Sequence, residues 1–320
     1  MTSERQAPAA ASGHGGHGQG NHGGHGGHHH SHGHSHGGED IDWAAMAAHL
    51  EREGELTLPE LTGTARWLRG LTAGEGAGVR RVLDVGSGPG VAAGVFAQEF
   101  PGAQVVAVDG SAPLLERALE RAAAAGLGPD RFTTVAADLP EDFGALGQAD
   151  LIWSSRAVHH LGDQQDALNR LARALREGGL LAIAEDGLPL RFLPRDIGLG
   201  RPGLATRLDA VNAEWFTAMR AELPYAATVV EDWPELLRRA GLTPVGSRTF
   251  LTDLPAPLGP AARDQLHARL SRTREMMADD LAEDDLRTLD ALLDDDSPHT
   301  IRSRPDAFFL TAYTVHAAVR

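Results

Sequence analysis

Hydrophobic and polar positions follow a regular alternation from residue 80 onward. Short apolar runs of strand length are separated by segments with helical periodicity, and glycines stand at several of the boundaries. This pattern predicts βαβ units and a parallel sheet, and so an α/β fold. The predicted strands are "RRVLDVG", "AQVVAVDGS", "RFTTVAADL", "ADLIWSSRAV" and "LLAIAED", and the predicted helices between them are "VAAGVFAQEF", "APLLERALERAAAAGL" and "QQDALNRLARALREGG".

The segments on either side of this alternation are predicted to be mainly helical. Asp42 is a plausible N-cap of a first helix, and a second helix is predicted around Leu61–Leu68. After Asp186 the pattern indicates a loop and then further helices before the chain ends in an alternating strand. The predicted elements of this part are helices at 205–223 and 229–242, a strand at 243–254, an acidic helical pair in 260–293 and a final strand at 306–319.

Residues 1–38 differ in composition from the rest of the chain. Glycine and histidine dominate this stretch, and no side chain larger than alanine contributes to an apolar pattern after Met1. Such a segment buries too little surface to offset the entropy of ordering, so we expect a disordered tail.

Charge and composition exclude several classes of protein. The formal net charge is −15, and residues 1–38 add one Glu and one Arg to it, so the folded part carries the negative charge. This argues against a nucleic-acid partner, because phosphate binding depends on Lys and Arg. The chain has no cysteine, which excludes disulfides and thiolate metal sites. With no apolar run long enough to span a membrane and no signal-peptide pattern, a cytoplasmic protein is expected.

The glycine-rich stretch "VLDVGSGPG" ends the first predicted strand. Gly86, Gly88 and Gly90 would let the backbone turn sharply and let a ligand approach closely. The dinucleotide fingerprint G-x-G-x-x-G would need a third glycine where Val91 stands, which disfavours a nicotinamide oxidoreductase. Asp84, two residues before the first glycine, suits a ligand that carries an ammonium group.

Two further carboxylates end the second and third predicted strands. Asp109 can accept hydrogen bonds from both hydroxyls of a ribose; alternatively it caps the next helix, a role that Ser111 could also fill. Asp138 can accept from an adenine amino group, with Leu139 beside the ring, or can be a simple turn carboxylate. The order of these residues on successive strands predicts one nucleoside-binding site, because open α/β sheets bind ligands at the carboxyl ends of their strands.

In these motifs the chain resembles the class I S-adenosylmethionine-dependent methyltransferases, and within them the small-molecule branch. The resemblance rests on "VLDVGSGPG", "VDGS", "AADLPEDF", "ADLIWSSRAVHHL" and "LREGGLLAIAEDG", which occur in the family's order. It implies a Rossmann-like, doubly wound, seven-stranded sheet with the last strand antiparallel, here with helical cap insertions. The implied organisation is a tail at 1–38, N-terminal helices at 39–75, a cofactor-binding core at 76–186, and a substrate-side cap with the C-terminal strands at 187–320.

The resemblance also implies site residues and an acceptor. The residues implied in binding S-adenosylmethionine are Asp84, Gly86, Ser87, Gly88 and Gly90 at the methionine end, Asp109 and Gly110 at the ribose, Asp138 and Leu139 at the adenine, and Ser154 and Arg156 near the transfer site. The methyl group would pass to an O, N or C atom of a small molecule. The oligomeric state is left open.

His159 and His160 are the candidate general bases, because an imidazole titrates near neutral pH. Either residue can instead simply pack or orient its loop. The helices outside the core are expected to form a lid over an apolar acceptor pocket. The candidate residues for lining it are Trp43, Met46, Trp67, Phe192, Trp215, Phe216, Met219 and Tyr225.

The tail histidines suggest a second chemistry. Imidazoles on a flexible glycine chain can bind Zn²⁺, Ni²⁺, Cu²⁺ or Co²⁺ with low specificity. The densest candidates are His28, His29, His30, His32, His34 and His36. One alternative function is therefore metal binding or buffering on a methyltransferase-fold scaffold; another possibility is that the tail has no role. Intact cofactor motifs favour the methyltransferase.

Overall fold

A single mixed β-sheet organises the computed structural model, which describes residues 43–72 and 78–320. Its strands are β1 (Arg81–Val85), β2 (Gln104–Asp109), β3 (Phe132–Ala136), β4 (Ala149–Ser155), β5 (Leu175–Arg191), β6 (Thr243–Leu254) and β7 (Phe309–Val319). They lie in the order β3-β2-β1-β4-β5-β7-β6. β7 pairs antiparallel with both β5 and β6, whereas the pairs among β1–β5 are parallel. The predicted seven-stranded sheet with an antiparallel last strand is confirmed.

Helices connect these strands and extend beyond the sheet. They are α1 (Trp43–Leu56), α2 (Leu58–Leu71), α3 (Val91–Glu99), α4 (Ala112–Ala124), α5 (Gln164–Ala174), α6 (Leu204–Glu222), α7 (Trp233–Arg239), α8 (Pro260–Met276) and α9 (Glu283–Leu293). Short 3₁₀ turns follow β3 at Glu141–Leu146 and β4 at Val158–His160. The proposed N-cap Asp42 lies outside the described residues.

Alternate residues of the central strands enter two separate apolar cores, one on each face of the sheet. α2, α3 and α4 cover one face, while α5 and α7 cover the other. This division explains why the strands read as continuous apolar runs instead of alternating patterns. The first core contains Val82, Val105 and Leu151, and the second contains their chain neighbours Leu83, Val106 and Ile152.

A third apolar cluster confirms the helical cap. It joins α6, α8 and α9 to the extended end of β5 and to the start of β7, where Leu190 and Phe309 are buried. The Arg207 guanidinium on α6 donates to the Asp285 carboxylate at 2.7 and 2.8 Å, so an ion pair also links α6 to α9.

The boundary between α5 and β5 differs from the prediction. The helix was expected to reach residue 179 and the strand to cover 180–186, but α5 ends at Ala174 and β5 continues to Arg191. The extension pairs with β7, with Leu188 opposite Ala312. Pairing with a strand more than a hundred residues away made a strand of a segment that local pattern assigned to a loop.

Candidate active site

A cavity of about 1520 Å³ opens at the carboxyl ends of the parallel strands. Residues from the ends of β1, β2 and β4 line one part of it, and α1, α6 and α8 line another. Pockets for one small ligand typically measure about 300–1,000 Å³. The cavity is therefore large enough to hold two small molecules side by side.

The glycine loop forms the floor of the cavity. Gly86 has φ +75°, and a Cβ there would lie 2.5 Å from the Cβ of Ala157, so only glycine fits this turn. Gly86, Ser87 and Gly88 all line the cavity. Gly90 does not: it precedes α3 with φ +75°, and a Cβ on it would lie 2.6 Å from that of Ala118. Its position indicates a role in packing α3 against α4 instead of ligand contact.

Asp84 is a buried carboxylate with an unused acceptor. It is only 2% exposed, and Oδ2 has no hydrogen-bond partner among the described residues. Burial raises the pKa of Asp84 to about 7, although the backbone amide of Ala93 donates to it. A buried carboxylate without a cationic partner is costly. The site therefore fits a ligand that brings an ammonium group.

Asp109 anchors the loop from the end of β2. Oδ2 accepts a hydrogen bond from the Gly88 amide at 2.8 Å, and Oδ1 accepts from the Ser111 amide at 2.9 Å. Burial raises the pKa of Asp109. Ser111 occupies the N-cap position of α4, but its side chain makes no capping hydrogen bond, so the expectation that it caps the helix is wrong.

The remaining residues of the expected nucleoside end lie beside this loop. Gly110, Asp138 and Leu139 line the cavity together with Phe143. Asp138 is exposed, and its backbone amide donates to the Asp142 carboxylate at 2.9 Å. The carboxylate of Asp138 is thus placed where a ligand could reach it.

Ser154 lies near the end of β4 and Arg156 directly follows the strand, but the two side chains have different surroundings. The Ser154 hydroxyl is fully buried and donates to the Val85 carbonyl at 3.0 Å, so it ties β4 to β1. Arg156 has φ +50°, and its Nη1 donates to Glu53 Oε1 at 2.6 Å. A non-glycine residue in this left-handed region is strained, as residues at functional sites often are.

His159 and His160 line the cavity and form a polar cluster with Glu185. His159 Nδ1 lies 2.6 Å from Oε2 of Glu185, and its Nε2 lies 3.1 Å from Nε2 of His160. The ring of Phe216 meets the His159 ring edge-on at 5.3 Å. Burial, followed by the charges of His159 and Arg220, lowers the pKa of His160 to about 4, so this imidazole is neutral at neutral pH.

Two carboxylates of the site were not among the sequence candidates. Glu185 lies within β5 and is 3% exposed, and Glu53 lies on α1 and lines the cavity. In the sequence, Glu185 stands at the end of a buried apolar run, and this position could have marked it as a candidate site residue. Glu53 gave none, because a charged residue on an amphipathic helix ordinarily faces solvent.

The apolar lining was predicted poorly. Of the eight expected residues, Phe192 alone lines the cavity among those whose side chains are described; that of Trp43 is not. Trp67 packs against Phe250, Met219 is buried outside the cavity, and Tyr225 is 71% exposed. Apolar residues that do line the cavity include Leu188, Leu190, Leu208, Leu270, Met277 and Phe309.

The predicted metal-binding histidines, His28 to His36, lie outside the described residues. Within 43–72 and 78–320, no group of three or more His, Asp or Glu side chains is placed to hold a metal ion. No helix in those same ranges is long and apolar enough to cross a membrane.

Comparison with known proteins identifies the glycine-loop region. Residues 82–179 match the family model of a methyltransferase domain. The chain is 36% identical to a malonyl-[acyl-carrier protein] O-methyltransferase of Enterobacter lignolyticus, over 46% of this chain and 59% of that protein. It is 37% identical to a trans-aconitate 2-methyltransferase of Paracidovorax citrulli, over 32% of this chain and 37% of that protein.

A solved O-methyltransferase family protein from Burkholderia thailandensis is 20% identical, with a TM-score of 0.43, over 61% of this chain and 53% of that one. The chain spans about 59% and 37% of the length of the two relatives named above. The matched segment contains β1 to β4 and the residues proposed for the cofactor. Residues 82–179 therefore match a methyltransferase domain, which supports the resemblance to the class I S-adenosylmethionine-dependent family.

Proposed function

We propose that the protein transfers a methyl group from S-adenosylmethionine to an O, N or C atom of a small-molecule acceptor. The observation that carries this proposal is a cavity lined both by Asp84, whose Oδ2 has no hydrogen-bond partner among the described residues, and by His159, which is paired with Glu185. Two of the relatives act, by their names, on malonyl-[acyl-carrier protein] and trans-aconitate, which supports an acceptor with a small reactive portion.

The chain's own residues account for cofactor binding. Asp84, Gly86 and Gly88 would hold the methionine end, Asp109 the ribose, and Asp138 and Leu139 the adenine. When bound, the cofactor supplies an electrophilic methyl group on a sulfonium. The protein's main contribution is then to align the acceptor with that methyl group and to exclude water.

His159 is the better candidate for a general base. If Nδ1 carries the proton, Glu185 accepts its hydrogen bond at 2.6 Å, and the lone pair of Nε2 then faces Nε2 of His160 at 3.1 Å. To act as the base, Nε2 would exchange this contact with His160 for a hydroxyl or ammonium group of the acceptor and take its proton. His160 is the weaker candidate, since its lowered pKa of about 4 makes it a poor base at neutral pH.

Calorimetric titration of S-adenosylhomocysteine into the purified protein tests the cofactor site. We expect micromolar binding in the wild type and in the control Asp130→Ala, which alters an exposed residue. Asp109→Ala should abolish binding while circular dichroism shows an unchanged fold. A folded wild-type protein that does not bind S-adenosylhomocysteine would refute the proposed function.

Two further expectations are not tested by the structure. Metal binding by the tail histidines stays a prediction, which titration of Ni²⁺ into the full chain and into a chain lacking residues 1–38 would check. The cytoplasmic location likewise stays a prediction.

A further inference from the structure

The turn that carries His159 is held by an arginine of the helical cap. Residues 158–162, which we call the histidine turn, lie between β4 and α5. Arg220, near the end of α6, directs its guanidinium group at this turn. Its Nη1 donates to the carbonyl oxygens of His159 and, at 3.4 Å, of Leu161, and its Nη2 donates to that of Gly162 at 3.3 Å. One side chain of the cap thus binds several carbonyl groups of a short turn.

The carbonyl groups of the histidine turn need donors from elsewhere. The amides of His160 and Leu161 donate to the carbonyls of residues 157 and 158, both at 3.0 Å, and so form the 3₁₀ turn. The carbonyl groups at the end of a helix have no partners within that helix. Among the described residues, the hydrogen bonds of Arg220 all go to such main-chain carbonyls. Its guanidinium group therefore completes the hydrogen bonding of the turn.

The segment that follows α6 contacts the same turn. The amide of Ala227 donates to the Gly162 carbonyl at 3.1 Å. Gly162 has no room for a side chain, because a Cβ there would overlap the carbonyl oxygen of Pro224 and lie 2.9 Å from the amide nitrogen of Ala226. The two segments therefore pack backbone against backbone, and a movement of the cap would move the histidine turn.

One face of α6 connects this turn to the cavity. Asn212 lines the cavity, and Phe216 and Arg220 follow it at intervals of four residues, so the three side chains share one face. The Phe216 ring meets the His159 ring edge-on at 5.3 Å. α6 lies outside residues 82–179 that match the methyltransferase model, whereas the histidine turn lies inside them. The cap therefore supplies contacts to the candidate base that the matched domain does not contain.

The orientation of His159 depends on its backbone as well as on its ring. Glu185 lies 2.6 Å from Nδ1 and fixes one side of the imidazole. The carbonyl that accepts from Arg220 belongs to the same residue, so a shift of the turn would also move the ring away from Glu185. A catalytic group must be held within about 0.5 Å of its productive position. Arg220 does not line the cavity, so it can act on the acceptor only through His159.

We propose that Arg220 is a positioning residue for His159, and that through it the cap helix α6 sets the direction of the His159 imidazole against Glu185. This inference rests on the proposed methyltransferase function with His159 as its base. It predicts that removing the guanidinium group leaves the fold and cofactor binding intact but frees the imidazole from a single orientation and tautomer.

The tautomer of His159 tests this role without an acceptor. Long-range ¹H–¹⁵N correlation NMR of the full-length chain, labelled with ¹⁵N at histidine, gives the ratio of the Nδ1–H to the Nε2–H form. The solution would be mildly alkaline, where a free imidazole is neutral, and His159→Gln assigns the signals. The variants are Arg220→Met, which removes the donors, and Arg220→Lys, which retains a charged donor. The matched control on the same helix is Arg207→Met, since Arg207 binds Asp285 of α9 and does not contact the histidine turn.

We expect wild-type His159 to be predominantly the Nδ1–H form, because Glu185 accepts from that atom. Arg220→Met should lower the ratio of the Nδ1–H to the Nε2–H form about tenfold, the size of one hydrogen bond to a charged group. Arg220→Lys should restore part of the ratio. Arg207→Met should lower the melting temperature and leave the ratio unchanged. The dissociation constant of S-adenosylhomocysteine should stay within about twofold of wild type in all these variants.

Three results would overturn the proposal. An equal ratio in wild type and Arg220→Met would mean that Arg220 only fastens the cap. An equal fall in Arg220→Met and Arg207→Met would assign the change to a general loss of stability in α6. A wild-type His159 that is not predominantly the Nδ1–H form would leave no fixed imidazole for the arginine to hold.

A milder variant and a separate measurement keep these outcomes distinct. Should Arg220→Met fail to fold, Arg220→Gln, which keeps a neutral donor, takes its place, and the same results decide. Each of the three results leaves cofactor binding, and with it methyl transfer, standing. Absent S-adenosylhomocysteine binding in the folded wild type defeats the proposed function itself, whatever the tautomer of His159.

Discussion

Asp84→Asn should make the protein more stable and weaken its binding of the cofactor, and both effects should depend on pH. The carboxylate is almost fully buried, and burial raises its pKa from the ordinary 3.8 to about 7. A pKa that is higher in the folded than in the unfolded state means that the folded protein binds the proton more tightly. The free energy of unfolding contributed by Asp84 therefore falls as the pH rises from about 4 to 7, and stays low above that.

The magnitude follows from the two pKa values. One pKa unit corresponds to about 1.4 kcal/mol, so complete ionisation of Asp84 lowers the free energy of unfolding by about 4 kcal/mol. Between pH 5 and pH 8 the wild type should lose about 2–3 kcal/mol relative to Asp84→Asn. Asn can still accept from the Ala93 amide but carries no charge, so it should not show this loss.

Cofactor binding should have the opposite dependence. The ammonium group requires an ionised Asp84, so the affinity of wild type for S-adenosylhomocysteine should fall by about tenfold for each pH unit below 7. Asp84→Asn should bind weakly at every pH and show no such slope.

Urea denaturation and calorimetric titration at pH 5, 6, 7 and 8 measure both effects, with Asp130→Asn as the exposed control. Parallel stability profiles for wild type and Asp84→Asn would refute the reasoning, since they would mean that Asp84 titrates alike in the folded and unfolded states. If the affinity for S-adenosylhomocysteine changed with pH equally in the two proteins, a group other than Asp84 would bind the ammonium group.

Three further predictions follow from the site and its scaffold. Glu185→Gln should lower the rate of methyl transfer to the acceptor by about tenfold, since it removes the charge from the hydrogen bond to the His159 imidazole; the dissociation constant of S-adenosylhomocysteine, measured in parallel, should not change. Gly90→Ala should cost about 2–5 kcal/mol in urea denaturation, because φ is +75° and the new Cβ would lie 2.6 Å from another Cβ. Gly94→Ala is its control on the same helix: no described atom lies within 4 Å of its Cβ position, so it should stabilise by about 0.5–1 kcal/mol; equal losses in the two variants would contradict the steric argument. Deleting residues 1–38 should leave the melting temperature and S-adenosylhomocysteine binding unchanged, and a large drop in melting temperature would show that the tail contributes to the fold.

Local pattern was sufficient for the sheet and for bringing the glycine loop and the strand-end carboxylates to one cavity. Apolar runs of strand length and the glycines and carboxylates that end them are adjacent in the chain, so their spacing alone places Asp84, Gly86 and Asp109 at one edge of a parallel sheet. The antiparallel direction of the final strand was predicted from the resemblance of the ordered motifs, and the helical cap from helical periodicity.

The rest of the cavity wall depended on contacts between distant segments. Glu53 and Arg156 are 103 residues apart, and Arg269 belongs to a helix whose sequence resembles any solvated helix. Periodicity shows which face of a helix is apolar, but it does not distinguish a face that fills a core from one that borders a cavity. The expected aromatic lining was wrong for this reason. The contacts of Glu53 with Arg156 and Arg269 form only when folding brings α1, α8 and the end of β4 together.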